Sequence, residues 1–358
     1  MKKKALAVAV ATALTAPMAA QAVSTNWYGH VNRAVQFVDD GNNTDVNFID
    51  VTAYSSRMGW TGTADAGNGL TTGAKVELDF RSNTVYGQGI NAVDAGEAGF
   101  RLRHADIWFS GNFGKLSLGQ GGDATDGVAY ATHNSAWEGS ELSHDWGISA
   151  FRDGNGNSSG LTAYSFSTSF DGGRRDRIRY DTPSFGPVTA HISAGTNSRV
   201  DASVRLSSDM GGGSLLARVG YAHAGGAAGV TAGANHIETV SGSLSYKFSQ
   251  GTHIDFMYGE RDGGANPDPN TFYVGLGHAW GNNSVIVDYM EGNDVTAGCT
   301  GDRIGVGMAH NLPSGAATLY AGYHNYGADC TAAVLAGLGT GALEDISEFH
   351  VGARVHFD

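Results

Sequence analysis

Cysteine and proline are scarce in this chain, which has two cysteines and six prolines among 358 residues. Two cysteines are too few for a disulfide-stapled scaffold or a cysteine-based metal domain. Basic residues number 22 against 35 acidic ones, which argues against a nucleic-acid partner. After residue 22, no apolar run approaches the roughly 20 residues of a membrane-spanning helix. The chain is instead rich in glycine, with 54 residues that suit tight turns between uninterrupted strands.

The first 22 residues have the three parts of a Sec signal peptide. Three lysines follow Met1, residues 5–16 form an apolar core, and an Ala-Gln-Ala site ends at Ala22. A membrane-anchoring helix is the alternative, but the apolar core is short for one and Pro17 interrupts it. The sequence therefore predicts cleavage after Ala22 and export to an oxidising bacterial envelope, with residues 23–358 as a single domain.

The last ten residues alternate between apolar side chains and polar or small ones. Phe349, Val351, Ala353, Val355 and Phe357 share one phase. Because successive side chains of a strand point to opposite faces, this segment has one apolar face and one polar face. A soluble edge strand with such a face would promote aggregation, whereas the pattern is typical of a membrane β-barrel strand.

Strand-like runs repeat along the rest of the chain, and the joints between them alternate between short and long. The third long joint, at about residues 121–173, is the longest. Counting the runs gives about sixteen strands, an even number that leaves both termini on the periplasmic side. The sequence predicts an all-β fold, a transmembrane antiparallel β-barrel with short periplasmic turns and long external loops.

Charged residues share one phase in residues 70–81, where Lys75, Glu77, Asp79 and Arg81 alternate with apolar side chains. A row of charges cannot face lipid, so this phase is predicted to line a water-filled lumen. A secreted β-sandwich, such as a lectin, would have to bury the same row in its core. The pattern therefore favours a barrel with a polar interior.

Two other segments extend the assignment of faces. Arg177 and Arg179 fall in the luminal phase of their run. Arg33, in contrast, shares the outward phase of Val31. A charge that faces lipid at mid-depth costs about 2–4 kcal/mol. Arg33 is therefore expected near a rim or against another subunit, unless the assigned phase is wrong.

Three groups of motifs follow one another along the mature chain. They are Ser-Arg-Met-Gly-Trp-Thr-Gly at 56–62 with Gly-Asn-Gly-Leu at 67–70, Arg-His-Ala at 103–105 leading to Ser-Gly-Asn-Phe-Gly at 110–114, and Arg-Tyr-Asp-Thr-Pro-Ser-Phe-Gly at 179–186. Together with the closing strand, this ordered set resembles the Gram-negative general porins, which are trimeric sixteen-stranded diffusion channels.

The resemblance implies an outer-membrane protein that contacts lipid and lipopolysaccharide, assembles as a homotrimer, and passes small hydrophilic solutes and ions. It also implies that the third external loop folds into the pore and narrows it opposite basic side chains of the wall. Opposed charges of this kind filter solutes without chemistry, so neither catalytic residues nor a cofactor are expected.

The positions that match the constriction of the family are charged. On the wall they are Arg57 and Arg103, with Arg101, Arg177, Arg179 and Lys75 as further candidates. On the loop they are Asp123, Asp126, Glu138 and Glu141, followed by Asp145. The alternative is that wall arginines belong to ion-pair networks and that the loop acids face solvent. The chain departs from the family at 136–139, where Ala-Trp-Glu-Gly replaces Pro-Glu-Phe-Gly, and at Asp358, which follows the usual terminal aromatic residue.

Two further groups could form sites near the external end. Cys299 and Cys330 fall in the last two external loops, and an oxidising compartment favours a disulfide between them. Asp153, Asn155 and Asn157 place oxygen atoms at alternate positions, as calcium loops do. The same segment lacks the bidentate acid of such loops, so a polar turn rich in glycine and asparagine is the alternative.

Two other functions remain open from the sequence. A channel selective for a sugar or an organic acid would need an aromatic track, for which Trp137 and Trp146 are candidates. An outer-membrane barrel enzyme would need a recognisable catalytic motif, and none is found. The expected function is passive diffusion through a porin, with ion preference and pore size left undetermined.

Overall fold

The computed structural model describes residues 23–51, 54–81, 99–136, 149–166, 168–196, 198–225, 236–263 and 268–357. Within this part of the chain, no helix is both long enough and apolar enough to cross a membrane. The predicted signal peptide, residues 1–22, lies outside the described residues and stays a prediction.

Nineteen strands account for most of the described chain. The first nine are β1 (Ser24–Asp39), β2 (Thr44–Asp50), β3 (Arg57–Gly67), β4 (Leu70–Arg81), β5 (Gly99–Gly111), β6 (Gly114–Gly122), β7 (Ala150–Arg152), β8 (Ser158–Thr162) and β9 (Arg174–Asp181). The others are β10 (Val188–Gly195), β11 (Arg199–Met210), β12 (Gly213–Gly225), β13 (His236–Phe248), β14 (Thr252–Asp262), β15 (Asn270–Trp280), β16 (Asn283–Asn293), β17 (Cys299–Asn311), β18 (Ala317–Cys330) and β19 (Ile346–Phe357). The described connections also contain a short helix, α1 (Ala332–Leu338), and two 3-10 turns, Val128–Tyr130 and Ala163–Ser165.

Seventeen of these strands form one antiparallel sheet that closes on itself. β19 pairs with β1 in a register that places Val355 opposite Val31 and Phe349 opposite Phe37. On its other side, β1 pairs with β2 near one end and with β3 near the other, so β2 and β3 are two parts of one interrupted strand. The sheet is therefore a barrel of sixteen strands, which confirms the predicted fold. β7 and β8 pair with each other outside the barrel sheet.

The barrel wall is apolar outside and polar inside. Along β14, Ile254 and Phe256 are 47% and 46% exposed, whereas His253 and Asp255 are buried. A soluble protein would reverse this arrangement, so the outer face is one that lipid can cover. The charged row of β4 follows the same rule, with Glu77 on the buried inner face.

The turn between β3 and β4 is a representative short connection. Gly67, Asn68 and Gly69 all have positive φ angles, of 82°, 55° and 75°. Glycine and asparagine adopt this left-handed region with the least strain. The composition of such turns, as predicted, allows adjacent strands to reverse direction within a few residues.

An apolar cluster closes the external end of the barrel on one side. Phe151 of β7 and Phe166 are buried, with ring centroids 5.4 Å apart, and they pack with Tyr326 of β18 and Ile346 of β19. The β7–β8 hairpin is thereby fixed against the wall, and Gly341 donates a backbone hydrogen bond to Asp153 across this contact.

Cys299 and Cys330 form a disulfide, which confirms the predicted pair. They lie opposite each other at the start of β17 and the end of β18, with Cα atoms 4.1 Å apart. The sequence placed both cysteines in loops, but the two strands extend far enough to include them. The bond therefore ties a strand pair together directly.

Arg33 faces outward, so the phase assigned from the sequence is correct. It forms an ion pair with Asp50, which lies opposite it on β2. The Arg33 side chain is 46% exposed, whereas the Asp50 side chain is 2% exposed. The pair places opposite charges together on the outer face, which lowers the cost of a charge at that position.

Candidate pore constriction

The connection between β6 and β9, called loop 3 below, folds into the barrel as predicted. Its first part, residues 123–136, follows the inner wall from strand to strand. Ala124 N donates to Ser193 Oγ of β10 at 2.8 Å, and Ala131 N donates to Ser243 Oγ of β13 at 2.8 Å. Thr132 Oγ1 then donates to Asp255 Oδ2 of β14 at 2.6 Å. The loop is thus bound to the side of the lumen formed by β10–β14.

Serine side chains on the inner face of the barrel allow the backbone of loop 3 to lie close to the wall. Ser203 Oγ donates to the Ala124 carbonyl at 2.5 Å, and Ser243 Oγ donates to the Val128 carbonyl while accepting from Ala131 N. A hydroxyl is small and can both donate and accept, so it satisfies backbone groups that the loop would otherwise bury unpaired. Serine recurs in the luminal phase at Ser241, Ser243 and Ser245 of β13, a pattern that is visible in the sequence.

Arginines of the wall donate hydrogen bonds to backbone carbonyls of the same loop. Arg179 Nη1 donates to Asp123 O and Arg205 Nη2 donates to Asp126 O, both at 2.8 Å, and Arg218 Nη1 donates to Gly127 O at 2.5 Å. Because a guanidinium has several donors, one side chain can hold more than one carbonyl. Arg205 and Arg218 were not among the predicted site residues, although both lie in the luminal phase.

Two predicted wall residues, Arg177 and Arg179, lie at the base of loop 3. Arg177 Nε donates to Gly122 O at 2.9 Å, and its Nη2 lies 2.7 Å from Asp106 Oδ2. The Arg177 side chain is buried. These contacts position the loop, and the role of both arginines in selectivity stays a prediction.

The predicted acids of loop 3 divide into two groups. Asp123 is buried and pairs with Arg175 Nε at 2.9 Å and with Arg199 Nε at 3.2 Å, so its charge is matched by the wall. Asp126, three residues further along loop 3, is partly buried. Glu138, Glu141 and Asp145, together with Trp137 and Trp146, lie outside the described residues.

Asp171 is an unpredicted acid that supports the turn of loop 3. Its two carboxylate oxygens accept hydrogen bonds from Gly127 N at 2.7 Å and Ala129 N at 3.0 Å. Burial and the neighbouring charge of Asp126 raise the pKa of Asp171 to about 7. The carboxyl group that supports the turn therefore titrates near neutral pH.

A basic cluster occupies the wall formed by β3, β4 and β5. Its members are the cations Arg57, Lys75, Arg81, Arg101 and Arg103, which share the two carboxylates Glu77 and Asp79. Arg103 Nε lies 2.6 Å from Glu77 Oε1, and Arg101 Nη2 lies 2.7 Å from Asp79 Oδ2. Five cations thus face two acids, and the cluster carries excess positive charge.

The members of the basic cluster differ in their exposure. The side chains of Arg101, Lys75 and Arg57 are 58%, 31% and 17% exposed, whereas that of Arg103 is 9% exposed. Arg174, at the exposed start of β9, adds its charge to the electrostatic environment of Arg57 and Arg103. The excess charge is therefore partly accessible to ions in solution.

A β-bulge places Arg103 in this cluster. Glu77 of β4 pairs with His104, but Leu78 pairs with Leu102, so Arg103 is an extra residue without a partner in the ladder. Because a bulge breaks the strict alternation, Arg101, Arg103 and His104 all lie on the luminal side. A strict period of two counted from Arg103 would assign His104 to the lipid face, whereas the bulge places it on the luminal side.

The predicted calcium segment forms a polar turn. Asp153 Oδ1 accepts from Asn155 N at 3.0 Å and Asn157 N at 2.9 Å, while Oδ2 accepts from Asn157 Nδ2 at 3.0 Å. The Asn157 side chain and the Gly341 backbone lower the pKa of Asp153 to about 2. These contacts agree with the alternative of a structural turn, and calcium binding stays a prediction.

Comparisons with known proteins agree with this architecture. A family model described as Gram-negative porin matches residues 5–330. An anion-selective porin from Comamonas acidovorans is 21% identical with a TM-score of 0.65, and the match covers 94% of this chain and 100% of that one. The trimer form of OmpT from Vibrio cholerae is 16% identical with a TM-score of 0.58, over 94% of this chain and 100% of that one. OmpF from Salmonella typhi, in complex with daunomycin, is 9% identical with a TM-score of 0.62, and the match covers 93% of this chain and 97% of that one.

A search of curated proteins gave no match. A closed barrel with a polar lumen and an infolded loop defines a diffusion channel of the bacterial outer membrane. The match over most of the chain identifies its family, and this protein belongs to the Gram-negative porins.

Proposed function

We propose that this outer-membrane diffusion channel is a homotrimer whose lumen favours small anions over cations. The observation that carries the ion preference is the basic cluster of β3–β5, in which five cations share two carboxylates. Fixed positive charge on a narrow aqueous wall concentrates anions and repels cations. The net negative charge of the whole chain acts less strongly, because salt screens charges that lie beyond about 10 Å at 0.1 M ionic strength.

Two further proposals, lipid contact and the absence of enzymatic activity, accompany this one. Protein–lipid contact, including contact with lipopolysaccharide, fits the apolar outer face. The trimer is supported by the trimer form of the V. cholerae relative and by an outer face at β19, β1 and β2 that combines an ion pair with the small residue Ala353. Filtering by charge requires no catalytic residue, which supports a channel without enzymatic activity.

The refolded mature protein in a planar bilayer provides the test. Under a potassium chloride gradient, we expect stepwise conductance and a reversal potential with the sign of anion preference. The variant Lys75→Gln/Arg101→Gln removes the two most exposed cations named in the cluster. One charge at 4 Å in water contributes about 1 kcal/mol, so removal of the two should lower the chloride-to-potassium permeability ratio by about fivefold or more.

Lys115→Gln/Lys247→Gln is the matched control, since it removes two positive charges outside the basic cluster. It should leave the permeability ratio unchanged. If the wild-type pore prefers cations and Lys75→Gln/Arg101→Gln leaves its ratio unchanged, the basic cluster does not set selectivity. Stepwise conductance would still identify a channel in that case.

A further inference from the structure

Among the described residues, one group of three side chains has the composition of a transition-metal site. His324 of β18 and Glu348 and His350 of β19 offer ligand atoms that all lie within 4.8 Å of one another. The register of β18 and β19 brings the three side chains together. His324 lies directly opposite Glu348, and His350, two residues after Glu348, is on the same face of β19. All three side chains are on the luminal face of adjacent strands and are buried.

The donor distances are close to those of a metal centre. His350 Nδ1 lies 3.0 Å from Glu348 Oε1, and His324 Nδ1 lies 3.7 Å from Glu348 Oε2. Two ligands that each lie about 2.1 Å from a tetrahedral zinc ion are roughly 3.4 Å apart. Small side-chain rotations would therefore bring the three donors around one ion.

His324 supplies an independent reason to expect a ligand. Its side chain is fully buried, and among the described residues neither ring nitrogen has an acceptor within hydrogen-bond distance, since Glu348 Oε2 faces Nδ1 at 3.7 Å. A buried imidazole without partners loses the hydrogen bonds that water would give it, which is costly unless another group binds it. A metal ion that accepts the lone pair of one ring nitrogen would remove this deficit.

The surrounding wall leaves room for the imidazole and supports the carboxylate. Gly305 of β17 lies beside His324, and a Cβ atom at Gly305 would be 2.7 Å from His324 Cδ2. Tyr326 Oη donates to Glu348 Oε2 at 3.2 Å, a contact that orients the carboxylate as outer groups do at metal sites. The nearby cation Arg303 is paired with Asp288 at 2.8 Å, which offsets its repulsion of a metal ion.

We propose that His324, Glu348 and His350 bind a divalent transition-metal ion on the luminal face of β18 and β19. Two imidazoles and one carboxylate suit zinc and its first-row neighbours and not calcium or magnesium, which prefer oxygen ligands. A bound ion would join β18 to β19 and neutralise Glu348. The site is separate from the basic cluster and does not depend on the proposed anion preference.

Calorimetric titration of the refolded mature protein with Zn²⁺ in detergent at neutral pH tests the proposal. We expect one ion per protomer, and a titration with Co²⁺ should give the visible absorption bands of a nitrogen- and oxygen-ligated ion. His324→Gln and Glu348→Gln each remove one ligand with little change in volume. Each should weaken Zn²⁺ binding by at least about 100-fold, since loss of a group that only supports a ligand already costs 10–100-fold.

The control variant is His223→Gln/His236→Gln, which alters an exposed histidine pair near Glu238 on β12 and β13. It should bind Zn²⁺ as the wild type does. Gly305→Ala retains all three ligands but crowds His324, so it should weaken binding and serves where His324→Gln fails to refold. A wild-type protein that does not bind Zn²⁺, or binding lost only in the His223/His236 variant, would overturn the proposal.

Discussion

Arginine side chains in this lumen serve as structural supports as well as fixed charges. Arg205 and Arg218 direct guanidinium groups at backbone carbonyls of loop 3, whereas Arg101 remains 58% exposed on the opposite part of the wall. The same residue type therefore has two roles that only the contacts distinguish. Arg218 donates from one nitrogen, Nη1, to both Gly127 O and Tyr130 O, so the loss of this single side chain would free two loop carbonyls.

Asp171 should make loop 3 sensitive to pH. Its pKa is raised to about 7 in the folded protein, so the protonated carboxyl group is favoured there. The stabilisation is fully present below the ordinary pKa of an aspartate, about 4, and is lost as the pH rises through about 7. We expect single-channel current recordings to show several-fold more closing transitions at pH 8 than at pH 5.

Asp171→Asn should remove this difference between pH 5 and pH 8, because an amide does not titrate. Asp153→Asn is the matched control, since the pKa of Asp153 is lowered to about 2 and its charge is constant across this range. Pore noise that varies equally with pH in the wild type and in Asp171→Asn would show that another group controls the loop.

The strands show which parts of the structure a sequence can reveal. Alternation correctly predicted the outward face of β19 and the luminal row of β4, because one face of each strand contacts lipid and the other contacts the aqueous lumen. It does not hold at His104, where a bulge inserts one residue and places His104 on the same side as Arg103. It also did not reveal the contacts of Ser243 with loop 3, because these join residues more than 100 positions apart.

At the level of strand pairs, the disulfide should stabilise the external end of β17 and β18. Cys299 and Cys330 are separated by 31 residues, and closing a loop of that size restricts the unfolded chain by about 3–4 kcal/mol. We expect Cys299→Ser/Cys330→Ser to lower the free energy of unfolding by up to this amount. Urea titration in lipid vesicles measures it.

A reducing agent provides the control for this prediction. It should lower the urea midpoint of the wild type toward that of Cys299→Ser/Cys330→Ser and leave the variant itself unchanged. Single-channel conductance should be the same in both proteins, because the bond lies away from the basic cluster. An unchanged midpoint in the variant would mean that the strand pairing and the apolar cluster suffice.

For the whole molecule, the ion pair on the outer face indicates how protomers meet. Arg33 and Asp50 lie beside Val35, Phe48 and Ala353 on a wall that otherwise faces lipid. A charge facing lipid is costly at mid-depth, whereas a neighbouring protomer can supply polar groups and close packing. This face of β19, β1 and β2 is therefore the part of the barrel best suited to the proposed trimer contact.

Asp50→Asn should weaken the trimer, because it removes the carboxylate that balances Arg33 at this face. We expect the trimer to dissociate at a lower temperature on semi-native gels, while Asp209→Asn, which alters an exposed acid near the end of β11, should match the wild type. Arg33→Gln/Asp50→Asn removes both charges and should recover part of the loss. If the Asp50→Asn trimer dissociates at the wild-type temperature, the ion pair lies outside the protomer contact. If the substitution lowers only the stability of the separated protomer in urea, the pair stabilises the barrel wall and not the assembly.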